Sequence, residues 1–250
     1  MNYAPIYVMW LRQLKRYWRS KPRLLGSLGQ PVLFLVAFGF GFSPIFEKAG
    51  AGNYLQFLAP GVIAMSILFT SMFTGIEVVW DRKFGFLKET LVAPIPRTSI
   101  MVGRTLGGAT VAVAQGSVVL VMTLIIGFRP VDVMMLPLAV VYMALIALLF
   151  TAVGTAIASR IEDMQAFPLI MNFLIMPLFF LSGALFPMKD LPPFLDTIMR
   201  LNPLSYGVDG LRGTLSGEFI FSLSTDLSVL AVLALAVGLI GSYLFSKIEI

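Results

Sequence analysis

Six runs of roughly twenty apolar residues divide the chain, at Leu24–Phe42, Phe57–Val79, Leu106–Phe128, Val133–Ala158, Phe167–Phe186 and Leu227–Phe245. About 20 helical residues cross the ~30 Å hydrocarbon core of a bilayer. The composition agrees with that reading. Hydrophobic residues make up 58% of the chain and charged residues 12%, where a soluble domain carries about 25% charged. So few charges do not cover a soluble surface around that much apolar side chain. The predicted fold is an all-α integral membrane protein with six transmembrane helices, one transmembrane domain over residues 1–250. In the second span Ser66, Thr70, Ser71 and Thr74 form a polar stripe suited to packing against another helix. In the fifth, Pro168, Asn172 and Pro177 predict a kink.

The chain has no Cys and no His, which removes thiolate and imidazole metal sites, Cys nucleophiles and Ser-His-Asp triads. A net charge of +5 would fit nucleic acid if the charges were clustered on a soluble face. Their positions fit cytoplasmic loops of a membrane protein instead, and no nucleic-acid partner is expected. With the N-terminus inside, thirteen of the eighteen Lys and Arg fall on the cytoplasmic side. The first cluster, Arg12 to Arg23, lies beside the first span, where such charge has most leverage. Both termini are therefore expected in the cytoplasm, with Gly50 and Gly217 outside. The first twenty residues are aromatic and basic, with no short apolar core and cleavage site, so no cleaved signal peptide is expected.

Three segments outside the spans carry most of the information. In residues 1–23, Tyr3, Tyr7, Trp10, Leu11, Leu14, Tyr17 and Trp18 recur at helical spacing. Arg12, Lys15, Arg16 and Arg19 occupy much of the other face. This predicts a helix lying in the headgroup layer, with its cations toward anionic lipid. It serves either as a plain anchor or as a cuff supporting a cytoplasmic partner. Residues 80–97 hold Asp81, Arg82, Lys83, Phe84, Gly85, Leu87, Glu89 and Leu91. Phe84, Leu87 and Leu91 fall at i, i+3 and i+7 and predict a short amphipathic helix stopped by Pro94 and Pro96. Its apolar knob and charged rim suit a socket on another protein, or equally a rest on the lipid surface. Residues 187–226 are too polar to span and too apolar for a plain loop. They include Pro187, Pro192, Asn202, Pro203, Tyr206, Asp209 and Arg212. Short re-entrant helices are predicted there, with Asp209 and Arg212 paired at i, i+3 and the Tyr206 hydroxyl turned to water. The segment is either a gate or a static cap.

Two of these stretches resemble known signatures. Trp80–Arg97 resembles the cytoplasmic signature of ABC-2 type exporter membrane subunits: an acidic-basic pair, a Gly, a Leu, a carboxylate, then Leu91-Val92-Ala93-Pro94 and a basic residue. Phe180–Pro187, continuing through Leu191-Pro192, Asn202-Pro203-Leu204-Ser205-Tyr206, Asp209 and Arg212, resembles the family's more specific motif. The resemblance covers nearly the whole chain and is nearest to the subgroup of daunorubicin-type drug and nodulation-factor exporters. It implies a permease of the cell membrane that works as a dimer, each copy docked on a separate ATPase. The first cytoplasmic loop is then the coupling element, and the interfacial helix, with Trp10, Arg12, Arg16, Trp18 and Arg19, helps seat the ATPase. Cargo is implied to leave near spans one and five, beneath the outer re-entrant helices. ATP and Mg are implied on the partner and no cofactor on this chain. No G-x-x-x-x-G-K-[ST] occurs, and Gly103-Arg104-Thr105-Leu106-Gly107-Gly108 is not a phosphate loop.

Two other classes remain as alternatives. An ion-coupled transporter needs ionisable groups within the membrane. Only Glu77, near the cytoplasmic edge, falls inside a predicted span as a carboxylate. A membrane-embedded enzyme would have to use Asp190, Asp196 and Asp209 of the outer segment without His or Cys. Apolar spans with few charges favour an amphipathic or lipid-like cargo: a drug, a lipo-oligosaccharide or a lipid-linked glycan.

Overall fold

The computed structural model describes residues 3–48, 53–92, 95–188 and 191–247. Gly50 and Pro94 lie outside these residues, as do the side chains of Leu87 and Leu91. Every regular element among the described residues is helical. They are α1 (Ala4–Arg19), α2 (Lys21–Lys48), α3 (Tyr54–Thr74), α4 (Ile76–Lys83), α5 (Phe86–Val92) and α6 (Arg97–Ile126). A 3₁₀ turn at Val133–Met135 leads into α7 (Leu136–Ala158). Then come α8 (Ala166–Phe180), α9 (Pro193–Leu201), α10 (Pro203–Ser216) and α11 (Leu223–Ser246).

Among the described residues, five stretches are long and apolar enough to cross a membrane: Leu24–Phe46, Tyr54–Lys83, Arg97–Ile126, Val133–Ala158 and Leu223–Ser246. The fifth predicted span is shorter than expected. Its helix, α8, has 15 residues and rises only about 22 Å. The chain leaves it at Leu181 because the carbonyls of Leu178 and Leu181 are taken by the Asn202 side chain, at 2.7 and 2.8 Å. Gly183, at φ 73°, then turns the backbone over α3. There Gly61 lets the Ala184 backbone pass where any Cβ would stand 2.4 Å from its carbonyl oxygen.

Helix α6 begins at Arg97, well before the predicted start at Leu106. The charges that suggested a loop find partners within the bundle. Arg104 meets Asp81, and Arg97 donates to the Ser246 carbonyl at 2.8 Å.

Helix α3 is the hub. Of its most apolar window 83% is buried, against 17% for α2 and 11% for α11, so the latter two are peripheral. Ser66, Ser71 and Thr74 of the expected polar stripe are buried among neighbouring helices, and Thr70 is half-buried. α3 packs on α2, α6, α7 and α10, and α11 closes the bundle against α7 and α6. The kink expected in α8 resolves differently. Pro168 sits in the first turn, where its missing N–H costs nothing, and Pro177 lies in the last turn.

Candidate functional site

One end of the bundle gathers α1, α4 and α5, and is called here the basic end. Helix α1 lies directly along α6. Gly103 and Gly107 allow this: a Cβ at Gly103 would stand 2.7 Å from the Ile6 carbonyl, and one at Gly107 2.6 Å from Gln13 Cβ. Small residues four apart let two helix backbones approach closely. The buried face of α1 is thus Met9, Gln13 and Tyr17, and Arg12 and Arg16 are carried toward α4.

There Asp81 is the focus. Arg12 donates to both its carboxylate oxygens, at 2.9 and 3.1 Å. Arg104 of α6 donates to Oδ2, and Arg16 stands 3.5 Å from Oδ1 and 3.7 Å from Glu77 Oε2. The Arg12 guanidinium also stacks 3.7 Å above the Phe86 ring. The sequence puts Asp81 in the first loop between spans and turns Arg12 and Arg16 toward lipid headgroups. Instead they are joined in a buried charge network that ties α1, α4 and α6 together. Two buried carboxylates seeking partners are the physical reason. Trp10 Nε1 donates to Thr110 Oγ1 at 3.0 Å, whereas Trp18 and Arg19 are exposed.

The expected rim is only partly free. Arg82 donates to the carbonyls of Ser159 and Ile161, at 2.8 and 3.4 Å, and lies 3.8 Å from Glu162. It holds α4 to the loop after α7. Lys83 and Glu89 are exposed. Phe84 is not on the face of the short helix as the i, i+3, i+7 spacing predicted. It ends α4, and Gly85 at φ 81° reverses the chain before α5 begins at Phe86. The result is a bent tip with the Phe84 ring 76% exposed. Leu87 and Leu91 lie on α5, and their side chains lie outside the described residues.

The opposite end carries α9 and α10. Pro187 lies exposed in the connection after α8, and Pro192 precedes α9. Asn202 joins three elements at once. Its Oδ1 accepts from Leu204 N at 3.0 Å to cap α10, and its Nδ2 holds the end of α8. Pro203 occupies the first turn of α10. Tyr206 stacks on Phe221 at 4.9 Å, and its hydroxyl donates to the Arg200 carbonyl at 2.8 Å.

The expected ion pair of Asp209 and Arg212 does not form. Asp209 is fully buried and accepts from the backbone N–H groups of Ile220 and Phe221 at 2.9–3.0 Å. Arg212 points away, donating to the Gly183 carbonyl at 2.9 Å, with its guanidinium 4.0 Å above the Phe57 ring. Each group takes backbone partners from a neighbouring turn instead, although Arg212 Nε and Nη1 are left without a hydrogen-bond partner among the described residues and the Asp209 charge still acts on the guanidinium. Burial pushes the Arg212 guanidinium down to about 10, which still leaves it charged at neutral pH.

Sequence reasoning missed two participants. Arg104 was counted only as a cytoplasmic charge, and it is 2% exposed. The small residues Gly103 and Gly107 beside it are the signal that a helix would cover this turn. Asp226 was placed before the sixth span, yet α11 starts at Leu223 and buries it, so Glu77 is not alone as a span carboxylate. Asp81 belongs to the second stretch as well. Among the described residues, no group of three or more His, Cys, Asp or Glu could hold a metal ion.

A family profile described as ABC-2 type transporter matches residues 5–216. Among curated relatives, the chain is 30% identical to "Putative transport permease ycf38" of Porphyra purpurea, over 95% of this chain and 86% of that protein. It is 26% identical to "Nodulation protein J" of Rhizobium leguminosarum bv. viciae, over 90% of this chain and 86% of the relative. It is 28% identical to "Inner membrane transport permease YadH" of Escherichia coli strain K12, over 93% and 91%.

Proposed function

The chain belongs to the ABC-2 type transporter family as a multi-pass transport permease, and we propose that it is the membrane subunit of an ATP-driven exporter. Two copies pair, and a separate ATPase subunit, carrying ATP and Mg, docks on each from the cytoplasm. Both termini face that side of the cell membrane. The cargo is amphipathic or lipid-like and moves outward.

The observation that carries this reading is the tip formed by Lys83, Phe84 and Gly85. The exposed Phe84 ring stands beside the charge of Lys83 on a glycine bend, an aromatic knob with a charged rim that suits a socket on a partner. Its base is the Asp81 network, which joins the tip to α1 and α6 through charged hydrogen bonds. A knob on such a base can pass a push from a docked ATPase into helices that span the bilayer. Burying the Phe84 ring in a socket is worth about 1.5–3 kcal/mol.

The exit path is assigned to the α2 and α8 side. These helices touch through Phe34 and Phe179 at 5.8 Å, and they leave Leu33, Phe40, Leu169 and Phe173 exposed. That apolar face suits a second copy and a sliding amphipathic cargo. α9 and α10, tied to the end of α8 by Asn202, are assigned the gate.

Reconstitution tests the reading. The permease and its ATPase should co-purify, and hydrolysis should rise with one of three cargo classes: drugs, lipo-oligosaccharides or lipid-linked glycans. Transport that continues without any ATPase, driven by a proton or sodium gradient, would overturn it.

A further inference from the structure

Lys15 and Arg19 lie one turn apart on α1 and, unlike Arg12 and Arg16, make no ion pair among the described residues. Both stand at the mouth of a groove of about 470 Å³ between α1, the start of α2 and α6. Its walls are apolar, formed by Leu14, Trp18, Leu24, Val111 and Val118. Two polar groups, Tyr17 and Gln115, interrupt them. Gln115 is 2% exposed and accepts from the Tyr17 hydroxyl, while its Nε2 has no acceptor among the described residues. A buried amide without a partner is expensive, and this one lines the groove.

We propose that this groove is a binding site for an anionic phospholipid of the membrane. The phosphate bridges Lys15 and Arg19, whose Cβ atoms are about 5–6 Å apart at this spacing. One acyl chain lies against Trp18, Val111 and Val118, and an ester oxygen accepts from Gln115 Nε2. Charge complementarity selects the occupant. Arg12 and Arg16 are already engaged by Asp81 and Glu77, whereas Lys15 and Arg19 carry their charge without an ion pair among the described residues, at the groove mouth and beside an apolar slot. A soluble phosphate has no use for the slot, and a zwitterionic lipid gains less from the two cations. The site stands independently of the export reading, because it uses neither the Phe84 tip nor the outer helices.

Native mass spectrometry of the detergent-purified full chain tests it, with phosphatidylglycerol and phosphatidylcholine as probes. Retention should favour phosphatidylglycerol, and Lys15→Ala with Arg19→Ala should weaken it by roughly 10- to 30-fold. Arg160→Ala with Lys247→Ala, an equal loss of charge elsewhere, should leave it within about twofold. Ala114→Leu intrudes on the groove from an exposed position and should also reduce retention. Equal retention of the two lipids, or no loss in the Lys15/Arg19 variant, overturns the site. Unchanged retention in Ala114→Leu overturns the placement of the chain. Extraction of the lipid bound to the native protein should yield a bilayer phospholipid; recovery of a glycosylated or drug-like amphiphile would make the groove a cargo site and overturn the assignment.

Discussion

At the basic end, Asp81 of α4 is held by Arg12 of α1 and Arg104 of α6, with Arg16 close by. At the opposite end Asp209 and Arg212 share one helix, stand three residues apart, and bond to separate stretches of backbone. Both ends bury a carboxylate and a guanidinium. Yet in the first the charges satisfy each other and lock helices together, while in the second each pins a turn to the bundle. Charge paired with charge makes the partners interdependent, since losing one strands the other. Charge bonded to backbone makes each residue a separate fastener. The basic end should therefore behave as one unit and the opposite end as a sum of parts.

The largest effect is expected at Asp81. Asp81→Asn leaves Arg104, 2% exposed, beside two other cations with only Glu77 left to balance the three. The loss should be about 3–5 kcal/mol, read as a fall in thermal stability and in the yield of detergent-purified protein. Adding Arg104→Met should recover much of it, because the stranded charge is gone. If the double variant is no better than Asp81→Asn alone, the network is not the interdependent unit described.

Asp209→Ala comes next, at about 1–3 kcal/mol, because it strips the acceptor from two backbone N–H groups. Here the comparison predicts the opposite pattern. Asp209→Ala with Arg212→Ala should be worse than either single change, and close to their sum. A double variant milder than Asp209→Ala would mean the two charges depend on each other after all, and the contrast between the ends would collapse. Asn202→Ala should cost slightly less, about 1–2 kcal/mol, through the lost cap of α10 and the freed carbonyls of α8. Hydrogen exchange should quicken at the amides of Leu204 and its neighbours in the first turn of α10 before it changes in α3.

What the sequence made legible follows from what it encodes locally. Apolar run length is local, and it marked the five stretches long enough to span; Pro and Asn are local too, and α9 does start at Pro193 and break from α10 at Asn202 within the segment where short helices were predicted. The exposed bend at Lys83, Phe84 and Gly85 was not legible: the i, i+3, i+7 spacing puts Phe84 on a helix face, while the left-handed Gly85 ends one helix and starts another. Partner choice is not local. Asp81 lies 69 residues from Arg12 and 23 from Arg104, and nothing in the periodicity of either segment says that they meet. The Asp209 and Arg212 spacing misled for the same reason. Proximity along a helix was visible, whereas the competing donors at Ile220 and Phe221 became neighbours only after the chain turned at Gly217. The fifth span was overestimated because hydropathy records apolarity through Phe186 and is blind to a distant Asn202 capturing the carbonyls at Leu178 and Leu181.

The smallest effect on stability is expected where the proposed function concentrates. Phe84 is exposed on the bend between α4 and α5, outside the Asp81 network. Phe84→Ala removes a ring that packs on nothing essential to the fold, so stability should stay within about 0.5 kcal/mol of the parent. If the ring fills a socket on the ATPase, the same change removes a buried anchor worth about 1.5–3 kcal/mol of association, a loss of roughly 10- to 150-fold in affinity. Measured together, the melting temperature and the affinity for the ATPase separate the two roles of the basic end. The Asp81 variant should lose the fold first, and its docking with it. The Phe84 variant should keep the fold and lose docking alone. Phe84→Ala that binds the ATPase as tightly as the parent, and keeps cargo-stimulated hydrolysis, would show that the bend is not the docking knob. The rigid base formed by Asp81, Arg12 and Arg104 would then have to serve the packing of α1 against the bundle and nothing beyond it.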